Sequence, residues 1–188
     1  MYYILRNFCV CYNFFMKKII AISGKQYSGK DTLAKLLLDD LEGFVRVGIG
    51  DAIKIKYAQE KNITFEEVEK NKHLYRADLI NLGNWGRAQD EDYWLKSLIN
   101  MKENIIVPDI RVVHEIELFK SCGAFCVRVE ASLENRAKRA IITNSNDKTE
   151  TALDDYNKWD FIIDNNSDYE NLKRQERELV ITLRKNYL

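Results

Sequence analysis

The sequence is poor in residues that break or staple a chain. One proline, Pro108, and eight glycines in 188 residues exclude a low-complexity or collagen-like polymer. Four cysteines, Cys9, Cys11, Cys122 and Cys126, form neither a paired metal-ligand spacing nor a disulfide framework, so they read as reduced thiols of a cytoplasmic protein. Net charge is absent too: 29 basic residues balance 29 acidic ones, which leaves no general basic field for nucleic acid and no attraction to an anionic membrane. The apolar, aromatic stretch from Met1 to Phe15 is interrupted by Arg6 and Asn13 and is too short to span a bilayer. It lacks the small-residue cleavage site of a signal peptide. Met16-Lys17-Lys18 would make an ordinary start, so residues 1–15 are expected to be an extension outside the native chain. We find no internal repeat. With 46% apolar and 31% charged residues, residues 16–188 suit a single domain that buries its core without staples.

What the sequence does have is an apolar run, Ile19 to Ile22, followed by Gly24-Lys25-Gln26-Tyr27-Ser28-Gly29-Lys30-Asp31-Thr32 and an amphipathic segment. The order is strand, loop, helix. The loop follows G-x-x-x-x-G-K-[ST] through Gly24, Gly29 and Lys30, but places Asp31 where a hydroxyl residue is usual and Thr32 one step later. Backbone N–H groups of such a loop converge on phosphate oxygens, the helix directs its positive end at them, and the lysine bridges the β- and γ-phosphates. The expected ligand is ATP, bound by Gly24, Lys25, Ser28, Gly29, Lys30, Asp31 and Thr32. The expected metal is Mg²⁺, its shell completed by Asp31, by Thr32 or by a water. The Gly-Lys-Asp variant resembles that of animal-type phosphomevalonate kinases and of phage-type deoxynucleoside monophosphate kinases.

Further along, strands alternate with helices. Leu33, Leu36, Leu37 and Leu41 share one helical face that ends before Gly43, and Phe44 to Val47 reads as a strand. From Asp51 the pattern is helical, with Ala52, Ile55 and Ala58 inward. Thr64 and Glu67 form a capping-box pattern before Phe65 to Lys70. A helix over Leu74 to Leu82 is expected to stop near Gly83, Gly86 to Asp90 reads as a turn, and Glu91 to Asn100 as a helix with Trp94, Leu95 and Leu98 inward. Trp94 is read as core filling rather than as a platform for an aromatic base. Strands at Ile105 to Val107, Phe125 to Val129 and Phe161 to Ile163, with helices at Val113 to Ser121, after Ser132 and from Asp168 to about Lys185, complete an α/β domain on a mostly parallel five-stranded sheet.

Past the third strand stand Asp109 and Arg111. An Asp at that edge is the usual second metal-side element beside a phosphate loop, and anionic ligands gather at the same edge of open parallel sheets. Arg136 and Arg139, at i and i+3, share a helix face before the polar stretch Thr143 to Lys148. Residues 136–150 are expected to form a lid whose arginines neutralise a transferring phosphoryl group.

From Lys18 onward the chain resembles phosphomevalonate kinases at several further places. These are Lys54 before Tyr57-Ala58-Gln59-Glu60, Arg76-Ala77-Asp78-Leu79-Ile80 leading to Gly83, Arg87 and Asp90, then Asp109 and Arg111. They continue through Val127-Arg128-Val129, Arg136, Arg139, Glu150-Thr151-Ala152-Leu153-Asp154 and Trp159-Asp160-Phe161. Several are shared with deoxynucleoside monophosphate kinases, including His114-Glu115 after the Asp-x-Arg unit and Thr149-Glu150. The resemblance implies a P-loop NTPase fold of the nucleoside-monophosphate-kinase kind, with helices of about 51–100 binding the acceptor. One departure is that Arg111 is followed by Val112, where phosphomevalonate kinases carry a second arginine. Each anion of a doubly anionic acceptor wants its own bidentate partner.

The chemistry implied is in-line transfer of the γ-phosphoryl group of ATP to a small phosphorylated acceptor, by positioning and charge neutralisation without a covalent intermediate. Lys30, Arg111, Arg136 and Arg139 are the expected catalytic groups, and Lys54, Arg76, Arg87 and Arg111 the expected acceptor ligands. Asp31, Thr32 and Asp109 are assigned to the metal. His73 and His114 are given no role. A nucleoside monophosphate is the alternative acceptor, and an ATP-binding regulatory protein the alternative of another class. Nucleic-acid and membrane partners are not expected, and the chain is expected to be a monomer or weak dimer.

Overall fold

A computed structural model describes residues 17–72, 74–142 and 148–188. The expected extension, 1–15, and the middle of the expected lid, 143–147, lie outside the described residues, as do His73 and the Arg76 side chain. The elements follow in the order β1 (Ile19–Ser23), α1 (Lys30–Asp40), β2 (Phe44–Arg46), α2 (Ile49–Lys61), α3 (Phe65–Lys70), α4 (Arg76–Gln89) and α5 (Tyr93–Ile99). Then come β3 (Asn104–Ile110), α6 (Val113–Ser121), β4 (Phe125–Glu130), α7 (Leu133–Arg139), α8 (Lys148–Thr151), β5 (Phe161–Asp164) and α9 (Tyr169–Asn186). The strands form one sheet ordered β2-β3-β1-β4-β5, and each neighbouring pair is parallel.

All five residues of β1 are buried, because a central parallel strand is covered on both faces. Ile19 and Ala21 pack with Trp94, Leu95, Ile116 and Phe119 on the α2–α5–α6 side. Ile20 and Ile22 pack with Leu33, Leu37, Leu172 and Leu183 on the α1–α9 side. These are the two helical layers of a three-layer domain. Among the described residues no helix is long and apolar enough to cross a membrane.

β3 carries the feature that shapes the site. Its register to β1 slips between Ala21 and Ser23, so that Val107 pairs with Ala21 but Ile110, three residues on, pairs with Ser23. The extra residue is a bulge. It lets Ile110 return to the face already used by Ile105 and Val107. Pro108 falls here, beyond the last β2 pair at Arg46 and Ile106, where a missing N–H costs no ladder bond.

Three local expectations change. α4 runs unbroken to Gln89 rather than stopping near Gly83, and Gly86 is helical because Trp94 lies against it. A Cβ at Gly86 would sit 2.6 Å from the Trp94 ring. Trp94 is accordingly a core residue, 3% exposed, with its indole N–H donating to Gly83 O at 3.0 Å. Ile55 is exposed, since the buried face of α2 is Ala52, Tyr57 and Ala58. Only half of the capping box forms: Thr64 Oγ1 accepts from Glu67 N at 3.1 Å, while the Glu67 carboxylate faces the Tyr75 hydroxyl.

α9 presents Leu172, Leu179, Val180 and Leu183 to the sheet, and Glu176 lies on the same buried stripe. Its Oε1 is buried with no hydrogen-bond partner among the described residues. Burial, together with nearby Asp40, pushes its pKa up from 4.5 to about 7. A carboxyl whose folded pKa lies above its unfolded value destabilises the fold as it ionises, so stability should decline as pH rises from about 4.5 through 7. Thermal unfolding at pH 5 and pH 8 should show Glu176→Gln gaining on the native protein by up to about 3 kcal/mol at the higher pH and little at the lower. Parallel pH profiles for the two proteins would contradict this.

Candidate active site

The loop between β1 and α1 closes around Gly29, whose φ of 109° lies in the region that favours glycine. A Cβ there would also stand 2.2 Å from Asn165 Nδ2, so no larger residue fits. Inside the loop, Lys30 Nζ donates to Lys25 O at 2.9 Å. Its side chain is buried, and desolvation, followed by the nearby Arg111 charge, brings its pKa down to about 8. Ser28 Oγ is buried without a partner among the described residues. An ammonium without a paired carboxylate among the described residues and an unpaired hydroxyl, both within a glycine-bounded loop, suit a polyanionic ligand.

The carbonyls of Gln26, Tyr27 and Ser28 are held by side chains distant in sequence. Arg139 Nη1 donates to Tyr27 O at 2.9 Å and Ser28 O at 3.1 Å, and its Nη2 donates to Asn165 O at 2.6 Å. Arg136 Nη1 donates to Gln26 O at 3.3 Å, and Asn165 Nδ2 to Ser28 O at 2.7 Å. The two arginines do share the α7 face, as their spacing predicts. In this structure, however, they brace the loop from outside rather than pointing into an open cleft.

At the end of β3, Asp109 accepts from Ile49 N at 2.9 Å and Gly50 N at 3.2 Å, which caps α2. Burial raises its pKa despite those bonds, and neighbouring Asp51 adds to the rise. Asp31 meets a guanidinium. Its carboxylate pairs with Arg46 at 2.8 Å, and Arg46 also pairs with Asp51 at 3.0 Å. Of the three residues expected at the metal, Asp31 pairs with a guanidinium, Thr32 is exposed on the first turn of α1 and Asp109 accepts from the first amides of α2. No group of three or more His, Cys, Asp or Glu side chains among the described residues could hold a metal by itself. That donor set still suits Mg²⁺ shared with phosphate, because this ion keeps most of its shell as water and phosphate oxygens and takes one or two protein oxygens. Thr32 and Asp109 can supply them.

Beyond Gly50 opens a cavity of about 440 Å³, lined by Ile53, Lys54, Lys72, Leu79, Ile80 and Arg87 among others. Two expected acceptor ligands, Lys54 and Arg87, come together here, and Lys72 joins them. Lys54 is held by Asp51 at 2.9 Å and Glu69 at 2.6 Å. Burial alone would lower its pKa, but those two carboxylates raise it above the usual value.

Arg111 lies on the opposite flank. It donates to Glu150 Oε1 at 2.9 Å, and Glu150 Oε2 accepts the loop amide of Gln26 at 2.9 Å. Arg128, buried in β4, donates to Ser23 Oγ at 3.1 Å, and Lys25 pairs with Asp154 at 2.8 Å. His114 pairs with Asp92 on the surface.

Sequence reasoning assigned no role to Arg46, Asp51, Lys72, Arg128, Glu150 or Asn165. Arg128 left a signal, since an arginine inside the apolar strand Phe125 to Val129 must find polar partners when buried. The others work through contacts distant in sequence, which spacing does not report.

Known proteins resemble the chain on both levels. The family described as phosphomevalonate kinase matches residues 22–126, from the end of β1 into β4. Among solved structures, shikimate kinase from Aquifex aeolicus matches with a TM-score of 0.52 at 18% identity, over 89% of this chain and 97% of that one. Shikimate kinase from Acinetobacter baumannii, in complex with shikimate, matches at 0.55 and 14%, over 93% and 97%. A gluconokinase from Sinorhizobium meliloti matches at 0.51 and 13%, over 92% and 98%. These identities show the fold, that of the P-loop NTPase kinases.

The depressed Lys30 pKa predicts a proton linkage. Below pH 8 the ammonium is already formed, whereas above it the empty loop holds a neutral amine that must take up a proton to meet a phosphate. Calorimetric titration with ADP at pH 8.5, in two buffers of different ionisation enthalpy, should show uptake of about three quarters of a proton. At pH 6.5 this lysine should contribute none. Equal proton uptake at the two pH values would place the titrating group elsewhere.

Proposed function

The chain belongs to the phosphomevalonate kinase family, a premise from which we propose that it transfers the γ-phosphoryl group of ATP to the phosphate of a small aliphatic acceptor. Phosphomevalonate is the first candidate. That the enzyme is a phosphotransferase with a small-molecule substrate follows from its family and fold. The observation that supports the finer reading is the acceptor cavity: Lys54, Lys72 and Arg87 supply cations, Ile53, Leu79 and Ile80 supply aliphatic walls, and among the described residues its lining contains no aromatic ring. A nucleobase would call for an aromatic face or for base-edge hydrogen bonds. A branched aliphatic anion is matched by what is there.

In this reading the loop amides from Gly24 to Thr32 cradle the β- and γ-phosphates, and Lys30 bridges them. Arg136, Arg139 and Asn165 act indirectly, by fixing the loop carbonyls outward so that the amides face in. Thr32 and, through water, Asp109 would hold Mg²⁺, which when bound neutralises phosphate charge. Arg87 and Lys54 hold the acceptor at the α2–α4 side, while Arg111 approaches it from the end of β3. Asp31 belongs to neither ligand set but anchors Arg46, which with Asp51 sets the position of Lys54. The attacking group is already an anion, so no side chain has to remove a proton from it.

An ADP-release assay with phosphomevalonate and each ribonucleoside and deoxynucleoside monophosphate tests the proposal. Phosphomevalonate should be turned over at least about a hundredfold more efficiently than any nucleotide, the discrimination expected when a site's polar groups match one partner only. Preference for a nucleotide would overturn the acceptor assignment. Lys30→Met should lower turnover by about a hundredfold or more, the scale of one preorganised charge contact, with folding little changed. Arg87→Ala and Arg111→Ala should raise the acceptor KM by about tenfold or more while the ATP KM changes little. Equal effects on both substrates would contradict their placement.

A further inference from the structure

A buried carboxylate occupies the part of the loop where the proposed reaction requires an anionic substrate. The Glu150 side chain is 5% exposed, and its two oxygens point in different directions. Oε2 accepts the Gln26 N–H, on the nucleotide side, and Oε1 accepts from Arg111, on the acceptor side. Its charge also acts on Lys30. A loop amide, a strand-end guanidinium and the loop ammonium are the partners a transferring phosphoryl group would take. A carboxylate and a phosphoryl group cannot hold them together, because like charges at such separations repel strongly in a site shielded from water.

We propose that Glu150 is a specificity-determining residue that stands in for the phosphoryl group while the site is empty. It yields Gln26 and Arg111 only when the γ-phosphate of ATP and an anionic acceptor arrive together. The proposal rests on the kinase reading above. The division of contacts supplies the logic. ATP alone competes for the Gln26 amide and Lys30 but leaves Arg111 paired with Oε1, whereas an acceptor anion competes for Arg111 and leaves the amide. Either ligand by itself displaces half of the carboxylate's hold.

Glu150 is seated firmly enough for this role. Leu153, three residues on, is 4% exposed in the core, and Asp154 is tied to Lys25 of the loop. The segment therefore stays in place, and the carboxylate leaves by rotation of its own side chain. The consequence is control of water. In the uncoupled reaction a water oxygen bonds to the γ-phosphorus, the bond to the β–γ bridging oxygen breaks with its electron pair left on ADP, and the water proton passes to solvent. While Glu150 holds Arg111, that guanidinium is withheld from the phosphoryl group, and water gains no stabilised route.

Glu150→Gln tests the idea, because it keeps the shape and the acceptor oxygen but removes the charge. Its affinity for the non-hydrolysable analogue AMPPNP should rise by about tenfold, the scale of one close charge contact. Its affinity for ADP, which lacks the γ-phosphate, should stay within about twofold of the native protein. Acceptor-independent ATP hydrolysis should increase by about fivefold or more as Arg111 is released. Glu150→Ala, which removes both contacts, should show the same pattern, and ADP binding by each variant reports that the fold is retained. The AMPPNP-to-ADP comparison involves no acceptor, so it stands or falls separately from the phosphomevalonate assignment. Equal tightening of both nucleotides, unchanged AMPPNP affinity, or reduced hydrolysis would overturn the proposal.

Discussion

The structure depends on holding a short loop in a shape it would not keep unaided. Amides that converge on a phosphate must face inward, so the carbonyls of the same peptides face outward, away from the usual ladders of helix and sheet. Here Arg139, Arg136 and Asn165 donate to three of them, those of Gln26, Tyr27 and Ser28, at 2.7 to 3.3 Å. These side chains come from α7 and from the end of β5, more than one hundred residues from the loop in sequence. Loop geometry is therefore a property of the whole sheet, and the order β2-β3-β1-β4-β5 brings the braces to the end of β1.

A second constraint is charge. The site gathers Lys25, Lys30, Arg46, Lys54, Arg111 and Arg128 at one sheet edge, although the chain as a whole is neutral. Among the described residues each of these cations except Lys30 has a carboxylate within ion-pair distance: Asp154 for Lys25 and Arg128, Asp31 and Asp51 for Arg46, Asp51 and Glu69 for Lys54, and Glu150 for Arg111. Pairing lets a protein concentrate positive charge without self-repulsion and still present it to a ligand. Lys30 is the exception, and it is the group whose pKa falls. Glu150 and Asp31 act on it without pairing with it, and on the proposed reading a triphosphate would supply the closer charge.

Much of this was legible in the chain. The loop, the strands and most helices follow from period and punctuation, since β1 is apolar from Ile19 to Ile22 and α9 starts at an Asp168 cap whose side chain accepts from Asn171 N at 2.9 Å. What was not legible has physical causes. Gly83 and Gly86 read as helix breakers, yet in α4 the second admits a tryptophan ring. Asp31 occupied a metal-side position in the motif, but only the tertiary structure places Arg46 beside it. The role of Arg136 and Arg139 depended on what faced them, and helix spacing specifies a face without specifying its neighbour. Glu150 was noticed as part of a pattern, while its two contacts, to Gln26 and Arg111, span 124 and 39 residues.

In the proposed reaction this loop delivers a phosphoryl group to another phosphate. Phosphorus NMR of a reaction containing ATP, Mg²⁺ and phosphomevalonate observes the new bond directly. The acceptor's single phosphorus resonance should be replaced by a pair of mutually coupled diphosphate resonances, in step with the loss of the ATP γ-signal. Accumulation of inorganic phosphate with the acceptor resonance unchanged would contradict it.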